Sequence, residues 1–142
     1  MVIILGSDHA GFDLKSVCRE HLETKEGVVL KDIGVFSRDS MDYPVIAHEM
    51  AASIQNGEAA MGVIICGTGI GMSMVANRYK GVRAALCHNT YTARMSRLHN
   101  DANILAMGGR VIGPGLALEM LDVFVETPFE GGRHQNRINQ FD

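Results

Sequence analysis

The chain has 142 residues, a formal net charge of −3 and 46% hydrophobic residues, which predicts one globular domain spanning 1–142. Its 13 Lys and Arg residues form no basic run, which argues against bulk binding of nucleic acid. We expect no signal peptide and no membrane span, because the apolar start is short and lacks a basic flank. Three widely spaced cysteines without metal-ligand spacing indicate free thiols in the cytoplasm.

Short apolar runs alternate with segments of helical periodicity along the chain. The runs contain mostly Val, Ile, Leu and Ala, as expected of strands that are buried on both faces of a parallel sheet. The predicted strands are residues 2–6, 27–33, 62–66, 82–87 and 102–107, and the predicted helices are 12–22, 43–55, 71–79, 90–98 and 116–125.

This alternation predicts a three-layer α/β/α sandwich of the flavodoxin/Rossmann-like type, built on a five-stranded parallel sheet with right-handed crossovers. By fold frequency we expect the flavodoxin-like strand order 2-1-3-4-5. Ligands of such sheets bind at the carboxyl ends of the strands, where the direction of the connections reverses. In this order the reversal lies between strands one and three, so the segments that follow these strands are the candidate site.

The segment after the third strand carries the strongest chemical signal. Cys66 ends a buried strand, and Gly67, Gly69 and Gly71 then lead into a helix. Backbone N–H groups of such a loop and the field of the helix N-terminus stabilise an anion, including a developing enediolate, and favour the thiolate form of Cys66. The alternative is a tight turn beside a buried, inert cysteine. The spacing matches neither the dinucleotide fingerprint nor the nucleotide P-loop.

Other candidates follow the first strand and open the second helix. Asp8 and His9 could orient a sugar hydroxyl or assist ring opening, although Asp8 could equally cap the helix that follows. Tyr43 stands before Pro44 at a helix start, and it could reach the site with its hydroxyl or only pack against the helix end.

Three arginines are candidate phosphate ligands. Arg133 and Arg137 share one face if the tail is helical, and they would then clamp a phosphate or form an ordinary solvated face. Arg110 follows the fifth strand and is a third ligand or a surface charge. His99 falls where the fourth helix runs into the fifth strand, at the opposite edge of the sheet. It is either a helix-terminal residue or a proton donor in a neighbouring subunit's pocket, which would require a homodimer with shared sites.

Taken together, these segments resemble the family of ribose-5-phosphate isomerase B and the galactose-6-phosphate isomerase subunits. The chain matches the family branch with a cysteine base, because Met72 stands about where the other branch carries its glutamate. The resemblance covers nearly the whole chain, and its motifs are GSDHAG at 6–11, DYP at 42–44, CGTGIG at 66–71, ANR at 76–78, RLHNDAN at 97–103 and EGGRH at 130–134.

The resemblance implies an enzyme that interconverts D-ribose 5-phosphate and D-ribulose 5-phosphate through an enediolate, without a cofactor or a metal. It makes Cys66 the base, and it has Thr68 move a proton between the two oxygens. It assigns ring opening to His99, with Asp8 nearby. The implied sugar contacts are Asp8, His9, Tyr43, Gly67, Thr68, Gly69, Ile70, Gly71 and Asn100, and the implied phosphate ligands are Arg110, Arg133 and Arg137.

The resemblance also implies a homodimer, or a tetramer, in which some of these side chains come from a second subunit. Two alternatives stay open: a six-carbon substrate such as allose or galactose 6-phosphate, and a non-catalytic module that binds a phosphate ligand. A dinucleotide-binding oxidoreductase fits least, because its fingerprint is absent.

Overall fold

A computed structural model describes residues 1–141 as a parallel sheet with helices on both faces. The strands are β1 Val2–Ser7, β2 Val29–Asp32, β3 Met61–Cys66, β4 Ala84–Leu86 and β5 Ile104–Gly108. The helices are α1 Phe12–Glu23, α2 Tyr43–Gln55, α3 Ile70–Ala76, α4 Thr90–Asn100, α5 Pro114–Glu126 and α6 Arg133–Ile138. The predicted strands and helices are therefore confirmed, with shifts of a few residues at their ends, and the C-terminal tail is helical.

The predicted strand order is wrong at one edge of the sheet. The observed order is β2-β1-β3-β5-β4, so β5 lies beside β3 and β4 forms the edge. Burial explains the exchange, because all five residues of β5 are buried whereas the three residues of β4 are only partly covered. A fully apolar strand belongs inside a parallel sheet, and a short strand protects its edge. The reversal of connections still lies between β1 and β3.

Two apolar clusters fill the spaces between the three layers. One face of the sheet packs against α1, α4 and α5, with Leu22 and Phe124 fully buried there. The other face packs against α2 and α3, with Met50 and Met72 fully buried. This division is the one that right-handed crossovers produce for the observed strand order, and the three-layer prediction is confirmed. Within residues 1–141, no helix has the length and apolar content to cross a bilayer.

A buried ion pair joins α1 to the end of β2. The Lys15 Nζ donates to both carboxylate oxygens of Asp32, at 2.7 and 2.8 Å, and the Lys15 side chain is only 3% exposed. Asp32 Oδ1 also accepts the backbone N–H of Gly34 at 2.9 Å, which fixes the chain as it leaves the strand. A buried ammonium that loses its carboxylate is poorly solvated, so this pair is costly to break from one side.

Asp32→Ala is expected to lower the free energy of unfolding by about 3 kcal/mol, because it strands the buried charge of Lys15. The matched control is Glu58→Ala, which removes a carboxylate from the half-exposed pair with Lys31 and should cost about 0.5 kcal/mol. Urea unfolding of both variants measures the difference. Equal losses in the two variants would contradict this account of the buried pair.

Candidate functional site

The carboxyl ends of β1, β3 and β5 border a cleft of about 520 Å³. It lies at the reversal of connections, where the sequence predicts the site. Its walls come from the segments after β1 and β3, from the first residues of α2 and α3, and from the segment after β5. The lining residues are Asp8, His9, Ala10, Tyr43, Cys66, Gly67, Thr68, Ile70, Gly71, Met74 and Arg110.

Cys66 reaches this cleft from the last position of a fully buried strand. Its Sγ accepts the backbone N–H of Gly69 at 3.0 Å. Gly69 has φ of +78°, and a Cβ there would lie 2.6 Å from Leu86 Cδ1 and 2.9 Å from the backbone carbon of Met107. Only glycine fits this position, so the donor to the sulfur is fixed by the packing of the loop against β5.

The pairing of β5 with β3 places Arg110 beside residues 67–69, the loop that follows Cys66 and is called the cysteine loop below. Cys66 pairs with Gly108 in the sheet, and the N–H groups of Gly109 and Arg110 continue the ladder to the carbonyls of Cys66 and Gly67 at 2.8 and 3.0 Å. A Cβ on Gly67 would lie 3.6 Å from the Arg110 Nη1, so the guanidinium extends over the loop. Under the predicted strand order β4 would have intervened, and this contact would not form.

Asp8 and His9 are held by local hydrogen bonds on the β1 side of the cleft. Asp8 Oδ1 accepts the Gly11 N–H at 3.0 Å and caps the single 3-10 turn His9–Gly11, so its capping role is observed. Asp8 is also 6% exposed and lines the cleft. His9 Nδ1 accepts the Met41 N–H at 3.2 Å, which leaves Nε2 to carry the proton of the neutral ring.

The side chain of Tyr43, the first residue of α2, packs against the first turn of α3. A Cβ on Gly71 would lie 2.6 Å from the Tyr43 ring and 2.8 Å from its hydroxyl oxygen, so this glycine lets the aromatic ring reach the cleft. Met74 lies four residues after Ile70 and is 61% exposed on the same wall. The sequence prediction missed Met74 because methionine usually fills core gaps, although its spacing from Ile70 was a usable signal.

The remaining candidates lie elsewhere on this chain. His99 and Asn100 end α4, and Arg133 and Arg137 belong to α6, which packs against α4 at the opposite edge of the sheet. The central strands of five to six residues separate the two edges by roughly 17–20 Å. One chain therefore brings Cys66 and Arg110 together but leaves the histidine and the two tail arginines apart from them.

A network of buried and partly buried polar groups fixes the end of α4. Arg97 is 8% exposed and donates to Asp101 Oδ1 at 2.8 Å and to the Ala102 carbonyl at 2.6 Å. Asp101 adopts φ of +44° and also accepts from Arg83 at 3.0 Å. Arg97 belongs to the RLHNDAN motif at 97–103, but the sequence alone indicated no role for it. Its contacts show that it holds the turn that follows His99.

His99 stacks on His134, with ring centroids 4.3 Å apart and an interplanar angle of 15°. His134 is 3% exposed, and its Nε2 lies 3.6 Å from Glu130 Oε2 without a hydrogen-bond partner among residues 1–141. Burial lowers the pKa of His134, and the nearby His99 adds to this effect. The sequence gave His134 no role, and its spacing of four from Glu130 was the available signal.

Comparison with known proteins identifies the family. The model of the ribose/galactose isomerase family matches residues 3–141. Ribose-5-phosphate isomerase B of Escherichia coli (strain K12) is 44% identical over 136 residues, which cover 96% of this chain and 91% of that protein. This chain belongs to the ribose/galactose isomerase family.

Solved structures of the ribose/galactose isomerase family share this fold. A ribose-5-phosphate isomerase from Thermotoga maritima is 48% identical, with a TM-score of 0.96 over 99% of this chain and 97% of that chain. Ribose-5-phosphate isomerase B from Mycoplasma genitalium, solved with bound ribulose 5-phosphate, is 40% identical with a TM-score of 0.93, over 98% of this chain and 92% of that chain. The resemblance found in the sequence motifs is confirmed.

The three cysteines should differ in reactivity. Burial raises the pKa of Cys18 to about 12 and also raises the pKa of Cys87, so both stay protonated near neutrality. Cys66 alone among them lines the cleft and receives an N–H hydrogen bond. Iodoacetamide at mildly alkaline pH is therefore expected to label Cys66 first, with loss of any turnover in parallel. Peptide mass spectrometry over a time course measures this order, and earlier labelling of Cys18 or Cys87 would contradict it.

Proposed function

We propose that this chain interconverts D-ribose 5-phosphate and D-ribulose 5-phosphate, with Cys66 as the base. The observation that supports this function most directly is the position of the Cys66 sulfur. It lies at the cleft, accepts the Gly69 N–H and stands beside the Arg110 guanidinium. A thiol, a glycine-rich loop suited to an anion and a guanidinium suited to a phosphate therefore border one cleft, which supports the proposal. The Mycoplasma genitalium relative, whose solved structure holds ribulose 5-phosphate, supports the choice of substrate.

The proposed reaction begins with the open-chain aldose. The Cys66 thiolate takes the proton from C2, and the C2–H electron pair forms the enediolate as negative charge moves to O1. Gly67 and Thr68 precede α3, and Gly71 lies in its first turn, where N–H groups have no carbonyl acceptor within the helix. In the proposed reaction these N–H groups stabilise the negative charge on O1.

The second half of the reaction returns the proton to carbon. Thr68, whose hydroxyl oxygen accepts the Ile70 N–H at 3.2 Å, assists the transfer of the O2 proton to O1. The Cys66 thiol then gives its proton to C1, which yields the ketose and restores the thiolate. Asp8, His9 and Tyr43 border the space that the sugar hydroxyls would occupy, and Arg110, which also lines the cleft, would bind the phosphate.

A homodimer with shared sites completes this proposal. His99, Asn100, Arg133 and Arg137 act on the substrate only if a second copy brings them to the cleft, because they lie at the far edge of their own chain. The rim of the cleft is also suited to a partner: Tyr43, Ile70 and Met74 are 41%, 46% and 61% exposed. Such a contiguous apolar rim is expected where another protein surface packs. Three free thiols fit a reducing compartment, and we propose the cytoplasm.

Cys66→Ala is expected to lower kcat for ribose 5-phosphate by about 10³-fold, since it removes the base of the slow proton transfer. KM should change little, because the groups that hold the substrate remain. The assay follows ribulose 5-phosphate formation in the presence of EDTA. Cys18→Ala is the control, as its thiol is buried in the core outside the cleft.

The outcome of this assay separates the candidate functions. Unchanged turnover in Cys66→Ala would remove this cysteine as the base. Wild-type turnover with allose or galactose 6-phosphate alone would point to a six-carbon substrate. Binding of sugar phosphates by the wild type, without turnover across the whole panel, would favour the non-catalytic module.

Two inactive variants should restore activity when their subunits are mixed. In a shared-site dimer, one site of a Cys66→Ala/His99→Asn heterodimer keeps both Cys66 and His99, and the other site loses both. After dissociation and random reassociation, we expect about a quarter of wild-type activity, because half of the dimers carry one intact site. Turnover of the mixture and of each variant alone measures this. A mixture no more active than the average of its components would contradict shared sites.

A further inference from the structure

Three side chains with metal-ligating atoms meet where the C-terminal segment packs on α4. They are His99, Glu130 and His134, and one ligand atom from each lies within 4.8 Å of the others. Backbone contacts hold this cluster, since the Glu130 N–H donates to the Leu98 carbonyl at 3.1 Å. The stacked rings of His99 and His134 fix the two imidazoles against each other. Backbone hydrogen bonding and ring stacking therefore hold these three residues near one another.

The unpartnered nitrogen of His134 indicates what the cluster lacks. This side chain is only 4% exposed, and its Nε2 has no hydrogen-bond partner among residues 1–141. Glu130 Oε2 faces this nitrogen at 3.6 Å, beyond hydrogen-bond distance. The other ring nitrogen, Nδ1, lies 3.5 Å from Arg137 Nη1. Buried nitrogens are nearly always paired, so Nε2, which faces the Glu130 carboxylate without a hydrogen bond, is available to a further ligand.

The two imidazoles and the carboxylate of this cluster match the ligands of one class of metal site. Two imidazoles and one carboxylate are the three-ligand set of many open zinc sites, with water or an anion in the fourth position. Bonds of about 2.1 Å in a tetrahedron place ligand atoms roughly 3.4 Å apart. Glu130 Oε2 and His134 Nε2 are already 3.6 Å apart, and all three ligand atoms lie within 4.8 Å of one another. The Glu130 side chain is 56% exposed, so it can move inward to close the remaining gap.

We propose that His99, Glu130 and His134 bind a divalent late transition metal, with Zn²⁺ as the natural candidate, and that the bound ion inhibits the enzyme. Inhibition follows because an ion on the His99 ring withdraws that side chain from the sugar in the partner's cleft. This consequence rests on the proposed function, whereas metal binding itself does not. Arg133 and Arg137 belong to the same helix as His134 and oppose a cation, which favours a fourth ligand that is anionic.

The test is a titration of tag-free, EDTA-treated and dialysed protein with Co²⁺, followed by Zn²⁺ displacement. We expect one equivalent of Co²⁺ per chain, with the visible absorption of a four-coordinate ion that Zn²⁺ abolishes. Glu130→Gln should weaken the affinity at least about tenfold, which corresponds to about 1.4 kcal/mol. The control Glu119→Gln changes an exposed glutamate on α5 and should leave the titration unchanged. Cys66→Ala should also bind normally, which separates this site from a thiolate site in the cleft.

Three results would overturn the metal site: no Co²⁺ spectrum at micromolar concentrations, equal affinity of Glu130→Gln and the wild type, or loss of binding in Cys66→Ala. A turnover assay then tests the consequence. Zn²⁺ should inhibit the wild type, with recovery on addition of EDTA, and should inhibit Glu130→Gln only at about tenfold higher concentration. Metal binding at this site without inhibition would overturn the proposed role of His99 and leave the metal site standing.

Discussion

The pairing of β5 with β3 is the constraint on which the site depends. It places Gly108 opposite Cys66, and the same ladder carries Arg110 to the cysteine loop. Gly69 can donate to the Cys66 sulfur only because its left-handed backbone packs against Met107 of β5. Moving β4 into this position would separate the candidate base from Arg110. The chemistry of the cleft thus follows from which strand occupies the centre of the sheet.

The chain divides its functional side chains between two edges of that sheet. The edge at the strand carboxyl ends holds Cys66, the cysteine loop and Arg110. These groups are suited to proton transfer at carbon and to binding of an anion. The other edge holds the stacked His99 and His134 with the two tail arginines, on a platform fixed by Arg97. Parallel strands cannot bring these edges together within one chain, so a second copy is required for the proposed site. The apolar rim at Tyr43 and Met74 is consistent with this requirement.

Sequence patterns predicted the strands, the helices and the cleft residues well, because these depend on local apolar runs and glycine spacing. They did not give the order of β4 and β5, which depends on burial differences between two short apolar runs of similar composition. Nor did they identify Met74 at the cleft or the burial of His134, because both depend on how helices pack. The motifs led to the correct family, since several short segments in fixed order are far more specific than any one glycine loop.

In the proposed enzyme, one chain carries only half of each site. Sedimentation velocity over a dilution series, with turnover of ribose 5-phosphate measured on the same samples, tests it most directly. We expect a dimer or a larger assembly at high concentration, and specific activity that falls in step with dissociation. A monomer with full specific activity would contradict it, because Cys66 would then act without His99, Arg133 and Arg137.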